Sequence, residues 1–303
     1  MKRVRNVLRK PYTEPLVEGR YPVLPHKPIP DHIEKPYYYQ FKGKTHFSSA
    51  FKGEPSVHSA EFIEKMRKAC KIAAEALQAA LDAVEVGKST EDIDTVVHNY
   101  IIEQGAYPTP VYFMGFPKSV CASVNEVLCH GIPDTRPLKD GDYVNFDVTC
   151  YLDGAYGDTS DMALVGNTRP EIKDLVKTTR RAVHEAIGIC KPGVKFKEIG
   201  DLISELASNE GYGVCEEFSG HGIGHHLHMP PPVMHQKNEV EVVMEPGMTF
   251  TIEPILMMNP NYRLAQWSDG WTVVDMFLGP SAQYEHTVLI TESGAEVLTS
   301  RNK

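Results

Sequence analysis

The sequence predicts an α+β fold built from a duplicated helix–helix–sheet unit, and three observations carry that prediction. Apolar residues recur at helical spacing in two separate stretches, acidic residues stand inside β-rich runs, and the second half repeats the plan of the first at a shift of 106 positions. The chain has 303 residues, enough for a large buried core.

Residues 11–39 come first. They hold Pro11, Pro15, Pro22, Pro25, Pro28, Pro30 and Pro36, with Tyr21, Tyr37, Tyr38 and Tyr39 among them. Proline removes the N–H a helix needs, so an extended arm is predicted, packed across the protein's own surface. The steps Pro22–Pro25 and Pro25–Pro28 also make nominal PxxP ligands. From Ser59, Phe62, Met66, Cys70, Ala73, Leu77, Leu81 and Val84 fall at three- and four-residue steps until Gly87. Ser89-Thr90-Glu91-Asp92 resembles a capping box, opening a second helix that ends at Gly105. Residues 143–152 and 155–165 are β-rich runs joined by Asp153-Gly154, the strongest short hairpin signal.

The same order then returns. At the 106-residue shift Gly87 falls on Gly193, Ile93 on Ile199, Val97 on Ile203, Gly105 on Gly211 and Asp147 on Glu253. An internal duplication is the economical explanation, and two such halves would sit about a pseudo-two-fold axis.

Composition excludes several classes. Hydrophobic residues make up 42% and charged residues 23%, the balance of a globular protein. No apolar run is long enough to span a membrane, and no secretory leader is expected. A net charge of −9 argues against a nucleic-acid surface. The basic residues Lys2, Arg3, Arg5, Arg9 and Lys10 open the chain, as a solvated tail or the end of an organelle transit peptide. Six cysteines show neither C-x-x-C pairing nor framework spacing, which fits a reducing compartment and no structural zinc finger.

Four carboxylates inside strands carry the chemistry: Asp147, Asp158, Glu253 and Glu285. Asp is a poor strand former and a buried charge is costly, so these residues need a partner. A two-residue loop at Asp153-Gly154 sets Asp147 opposite Ser160, with Asp158 on the same face and diagonal to it. The pair either shares an ion, shares a proton, or leaves one carboxylate wet. Glu285, in the run 282–290 after Gly279-Pro280, is read as pairing with the Glu253 sheet. Oxygen-rich donors with one imidazole suit Mn²⁺, Fe²⁺ or Co²⁺. Two ions held there would polarise a carbonyl and generate hydroxide near neutral pH. The imidazole is sought in Gly-His-Gly-Ile-Gly-His-His-Leu-His at 220–228, where His225 and His226 read as solvated loop. The glycines do not complete G-x-G-x-x-G, His184-Glu185 lacks the second His of a zincin, and neither G-x-S-x-G nor a P-loop occurs.

Seven segments together resemble type 1 methionine aminopeptidases and occur in that family's order. They are Phe-Pro-Lys-Ser at 116–119, Ser-Val-Asn-Glu-Val-Leu-Cys-His-Gly-Ile-Pro at 123–133, Val-Asn-Phe-Asp-Val-Thr at 144–149, Gly157-Asp158, Gly-His-Gly-Ile-Gly at 220–224, Phe-Thr-Ile-Glu-Pro at 250–254 and Gln-Tyr-Glu-His-Thr at 283–287. The resemblance covers about residues 58–300 and implies the pita-bread (creatinase/aminopeptidase) fold, with 1–57 as a Pro-rich N-terminal extension and 58–303 as the catalytic domain. It implies two divalent ions (Co²⁺, Mn²⁺, Fe²⁺ or Zn²⁺): Asp147 on one, Asp158 and Glu285 bridging, His221 and Glu253 on the other. His130 and His228 would contact the substrate and stabilise the tetrahedral intermediate, with Glu253 also among the catalytic groups.

The methionine pocket would be lined by Phe113, Phe116, Cys121, Leu227 and Trp271. A hydroxylated aromatic is common in the family where Phe113 and Phe116 stand, and Phe where Leu227 stands, so the pocket's depth is left open. Glu285 stands only 32 positions after Glu253, without room for the long helical insertion of type 2 enzymes. The implied activity is removal of the initiator methionine from nascent polypeptide N-termini whose second residue is small. The implied setting is a monomer that associates with the ribosome but with neither nucleic acid nor membrane, cytoplasmic or alternatively in a mitochondrion or plastid. The rivals are an Xaa-Pro peptidase or prolidase on the same fold, and a metal-free binding protein, from which the family's ligands are lost.

Overall fold

The computed structural model describes residues 11–44 and 53–301. The basic opening ten residues lie outside the described residues. Ser59 opens α1 (Ala60–Asp82) by accepting the Phe62 N–H on its hydroxyl. The capping box is present at α2 (Thr90–Glu103): Ser89 Oγ accepts from Asp92 N–H, and the Asp92 carboxylate accepts from Ser89 N–H. Short strands β1 (Tyr107–Pro108), β2 (Cys121–Val124) and β3 (Val127–Cys129) lead to the hairpin β4 (Tyr143–Leu152) and β5 (Ala155–Leu164). Its register pairs Leu152 with Ala155 and Asp147 with Ser160. Asp153 and Gly154 both take positive φ (51° and 84°), as a two-residue turn between right-twisted strands requires.

The repeat then appears in space. Helices α3 (Pro170–Ile189) and α4 (Lys197–Asn209) stand where the 106-residue shift places copies of α1 and α2. Strands β6 (Gly213–Val214), β7 (Gly220–Gly222), β8 (Met229–Val233), β9 (Thr249–Ile252) and β10 (Ile255–Met257) follow. The chain closes with β11 (Leu264–Gln266), β12 (Val273–Asp275), β13 (Ser281–Gln283), β14 (Glu285–Ile290) and β15 (Ala295–Val297). The large antiparallel sheet runs β1-β4-β5-β14-β9-β7-β8, with β2 also on β4 and β15 also on β14. Its centre is symmetric: β4-β5 of the first half meets β14-β9 of the second, and the pseudo-two-fold passes between β5 and β14.

One expected element differs. The run 282–290 is not a single strand but is split at Tyr284, with β13 joining β10 and β6 in a small sheet. The cause is Pro254, which has no N–H to give a ladder and stands level with Tyr284 in the register that pairs Ile255 with Gln283 and His286 with Ile252. The same register sets Glu253 level with Glu285, beside the break.

Period-2 alternation divides the sheet's faces. Val144, Phe146, Val148 and Cys150 pack under α1 and α2, while Phe250, Ile252, Val288 and Ile290 pack under α3 and α4. Asp147, Glu253 and Glu285 therefore point to the face the helices leave open.

The N-terminal arm lies on the protein's own surface. Ile33 and Tyr38 are buried against Tyr107 and Val111, Lys27 Nζ pairs with Asp94 at 2.8 Å and Glu91 at 3.2 Å, and Pro22 accepts a backbone hydrogen bond from Thr135. Its one helical turn, the 3₁₀ segment Tyr37–Phe41, begins after the last proline. No helix among the described residues is long and apolar enough to cross a membrane.

Candidate metal centre

Four strands bring the strand carboxylates together. Asp147 comes from β4, Asp158 from β5, Glu285 from the start of β14 and Glu253 from the end of β9. His221 arrives on β7, where a side chain at Gly222 would collide with the Pro230 carbonyl. Ligand atoms of Asp158, His221 and Glu285 all lie within 4.8 Å of one another. Glu253 joins them, its Oε1 3.5 Å from His221 Nε2, with Asp158 Oδ2 at 3.7 Å from the same nitrogen. Asp147 stands on the same face of the hairpin, diagonal to Asp158 in the register that pairs Asp147 with Ser160 and Thr149 with Asp158.

The electrostatics of this group are unbalanced. Burial, with repulsion from the neighbouring carboxylates, pushes Asp147 and Glu285 well above the usual carboxylate range. Burial also raises Asp158 to about 6, and burial with the Asp158 charge raises Glu253 to about 8. His221 is pushed down to about 4 by burial and stays neutral at pH 7, as a ligand must. No lysine or arginine among the described residues pairs with these carboxylates, whose only ion-pair neighbour is His221. Four converging carboxylates and a neutral imidazole form a donor set that fits a divalent cation.

Neighbouring residues orient the donors, and most of them carry no signal in the sequence. Thr149 Oγ1 donates to Asp158 at 2.7 Å, and Thr251 Oγ1 donates to Glu253 at 2.7 Å while accepting the His221 N–H. Gln283 Nε2 donates to both the carboxylate and the backbone carbonyl of Glu253 at 3.3 Å. His235, buried and lowered to about 3, accepts the Glu253 N–H on Nε2. The hairpin register pairs Thr149 with Asp158, so that one support is within reach of the sequence. No motif marks His235.

Two histidines flank the group. The His228 ring meets the His221 ring edge-on at 4.4 Å, and burial next to His221 and His130 keeps it neutral. His130, lowered to about 4 by burial, stands edge-on to Trp271 at 5.7 Å and Phe218 at 5.4 Å. Pairing of β3 with β12 (Cys129 with Val273) makes that encounter, because His130 and Trp271 extend the paired segments. Phe116 is buried against Trp271 at 5.2 Å. Phe113 stands edge-on to His228 at 5.6 Å and packs on the first-half core that contains Leu227. Cys121 is buried opposite Asp147, its thiol raised well above the ordinary range by burial and the adjacent carboxylates. His225 and His226 are exposed.

A carboxylate-lined centre on the open face of a duplicated α+β unit defines the class as a pita-bread metallopeptidase. The chain belongs to metallopeptidase family M24, whose model matches residues 64–292. It is 47% identical over 277 residues to methionine aminopeptidase 1D, chloroplastic/mitochondrial, of Arabidopsis thaliana, covering 91% of this chain and 78% of that one. It is 45% identical to the mitochondrial methionine aminopeptidase 1D of Homo sapiens, covering 90% and 80%. Among solved structures, methionine aminopeptidase from Rickettsia prowazekii superposes with TM-score 0.79 at 40% identity, over 82% of this chain and all of that one. A prolidase from Pyrococcus furiosus reaches TM-score 0.67 at 25% identity, over 82% and 66%.

Proposed function

We propose that the chain is a metal-dependent aminopeptidase that releases N-terminal methionine from polypeptides. The observation that carries this reading is the convergence of Asp158, His221 and Glu285 within 4.8 Å beside His228 and an aromatic pocket. Similarity to methionine aminopeptidases at 45–47% identity, against 25% to a prolidase, supports it over the Xaa-Pro alternative. Retention of the carboxylate and imidazole donors supports it over a metal-free binding protein.

Asp147, Asp158, His221, Glu253 and Glu285 would hold two divalent ions, which when bound activate water and polarise the scissile carbonyl. Mn²⁺, Fe²⁺ and Co²⁺ suit the oxygen-rich set, and Zn²⁺ is the fourth candidate. The protein's own groups do the rest. His130 and His228, neutral at pH 7, offer ring N–H groups to the substrate backbone and to the oxygen that becomes negative in the tetrahedral intermediate. Glu253, beside His221 in the cluster, is the carboxylate proposed to take up a proton during attack and return it to the leaving amine. Phe113, Phe116, Cys121, Leu227 and Trp271 would enclose the thioether. The imidazoles crowd the leaving-group side, so Gly, Ala or Ser should fit in second position.

The metal-free protein incubated with each ion in turn and with Met-Ala-Ser should release methionine, and should leave Met-Lys-Ser and Xaa-Pro peptides intact. Release from Xaa-Pro peptides alone would overturn the reading. Residues 1–57 are proposed as an extension and 58–303 as the catalytic domain, acting as a monomer on nascent N-termini at the ribosome. The overall acidic charge supports the exclusion of nucleic acid. Organellar relatives support the mitochondrial or plastid alternative over the cytoplasm.

A further inference from the structure

We propose that Tyr38 of the N-terminal arm is a positioning residue for the active site, holding the Phe113 wall of the methionine pocket against His228. The inference rests on the functional reading above and adds the arm to the substrate site. The wall itself, residues 110–116, is a strained loop. Tyr112 (φ 62°) and Met114 (φ 47°) are left-handed without being glycine, and Gly115 follows at φ 89°. Side chains of this size avoid that region, so the loop keeps its form only if its surroundings over-determine it.

The arm supplies those surroundings. Tyr38 is 1% exposed, donates its hydroxyl to the Thr109 carbonyl at 2.5 Å, and presses edge-on against Phe113 at 5.3 Å and Tyr107 at 6.3 Å. His26 Nε2 and the Tyr112 hydroxyl share a 2.6 Å hydrogen bond. Gly43 packs so closely that a Cβ there would stand 2.5 Å from Gly115 Cα, backbone on backbone. The ring contacts run without a break from Tyr38 through Phe113 and His228 to His221. Aromatic rings in edge contact transmit position because neither can rotate without losing the other. A ring removed at Tyr38 leaves a void behind Phe113, into which Phe113 withdraws from both the thioether and His228.

The test is a substitution series in the full chain, loaded with metal. Tyr38→Ala should lower kcat/KM on Met-Ala-Ser by about 10²-fold, the usual scale for a displacement of about 1 Å. It should also narrow the preference for methionine over leucine and norleucine, with metal content and folding retained. Tyr38→Phe keeps the ring and should restore both rate and selectivity. If the alanine variant does not fold, Tyr38→Leu carries the same reading. A folded alanine or leucine variant with wild-type selectivity overturns the proposal, whether its rate is unchanged or falls equally for every N-terminal residue. Should the wild type release a residue other than methionine, the functional reading falls, and the same series on that residue still tests Tyr38.

Discussion

Glu285 sits where the two halves touch, with Ser160 of β5 on one side and the level of Glu253 on the other. Glu285→Gln keeps the shape and removes the charge, so bound metal should fall by one equivalent and kcat/KM by several orders of magnitude. Elemental analysis and peptide turnover check both, and near-normal turnover at saturating metal would sink the two-ion proposal. His228→Ala should behave differently. Its ring adjoins His221 without being among the clustered donors, so metal content should hold while turnover slows by about 10²–10⁴-fold. Loss of a metal equivalent would make His228 a ligand. At this scale the carboxylates are legible because a charge inside a strand is conspicuous, and the hairpin register alone brings Asp147 and Asp158 to one face, diagonal to each other. His235 and Gln283 are not legible as supports, since each reaches Glu253 through folding rather than through spacing.

Helix α1 lies directly on β5, and the contact is close at Gly157, where a Cβ would stand 2.5 Å from the Cys70 backbone nitrogen. Gly157→Ala should therefore push helix from strand and cost about 1–3 kcal/mol, a typical overpacking penalty. Urea denaturation measures it, and an unchanged midpoint would show that the interface can yield. Because Gly157 precedes Asp158, the same variant should weaken metal binding. Elements marked by local chemistry are readable: the caps at Ser59 and Ser89, and the Asp153-Gly154 turn. The split at Tyr284 is not, because its cause is Pro254 between β9 and β10, thirty positions away in sequence. Nor can periodicity show that the arm's proline steps lie against Thr135, a tertiary contact.

For the molecule as a whole, the unmet charge of the centre should appear in the pH dependence of stability. A carboxyl whose folded value is raised binds more protons folded than unfolded, so stability falls as pH rises toward the folded value. Glu253 at about 8, with Asp147 and Glu285 also raised, acts in this sense. The buried histidines act oppositely, but only below their ordinary 6.5, with His130 and His221 lowered to about 4 and His235 to about 3. In chelator, Tm should therefore drop between pH 6.5 and 8. Added Mn²⁺ or Co²⁺ should remove that drop, because metal binds the deprotonated ligands. A flat profile in chelator would mean that the carboxylates are compensated by something else. The symmetry of the sheet has an ancestral meaning as well. Neither half holds the centre: Asp147 and Asp158 come from one, and His221, Glu253 and Glu285 from the other. Two copies of a single half, joined across the β5–β14 seam, would bring four carboxylates together at their symmetry axis. A gene encoding only that half would have made a metal-binding homodimer, and fusion of two such genes would have freed each copy to change alone, one of them acquiring the imidazole.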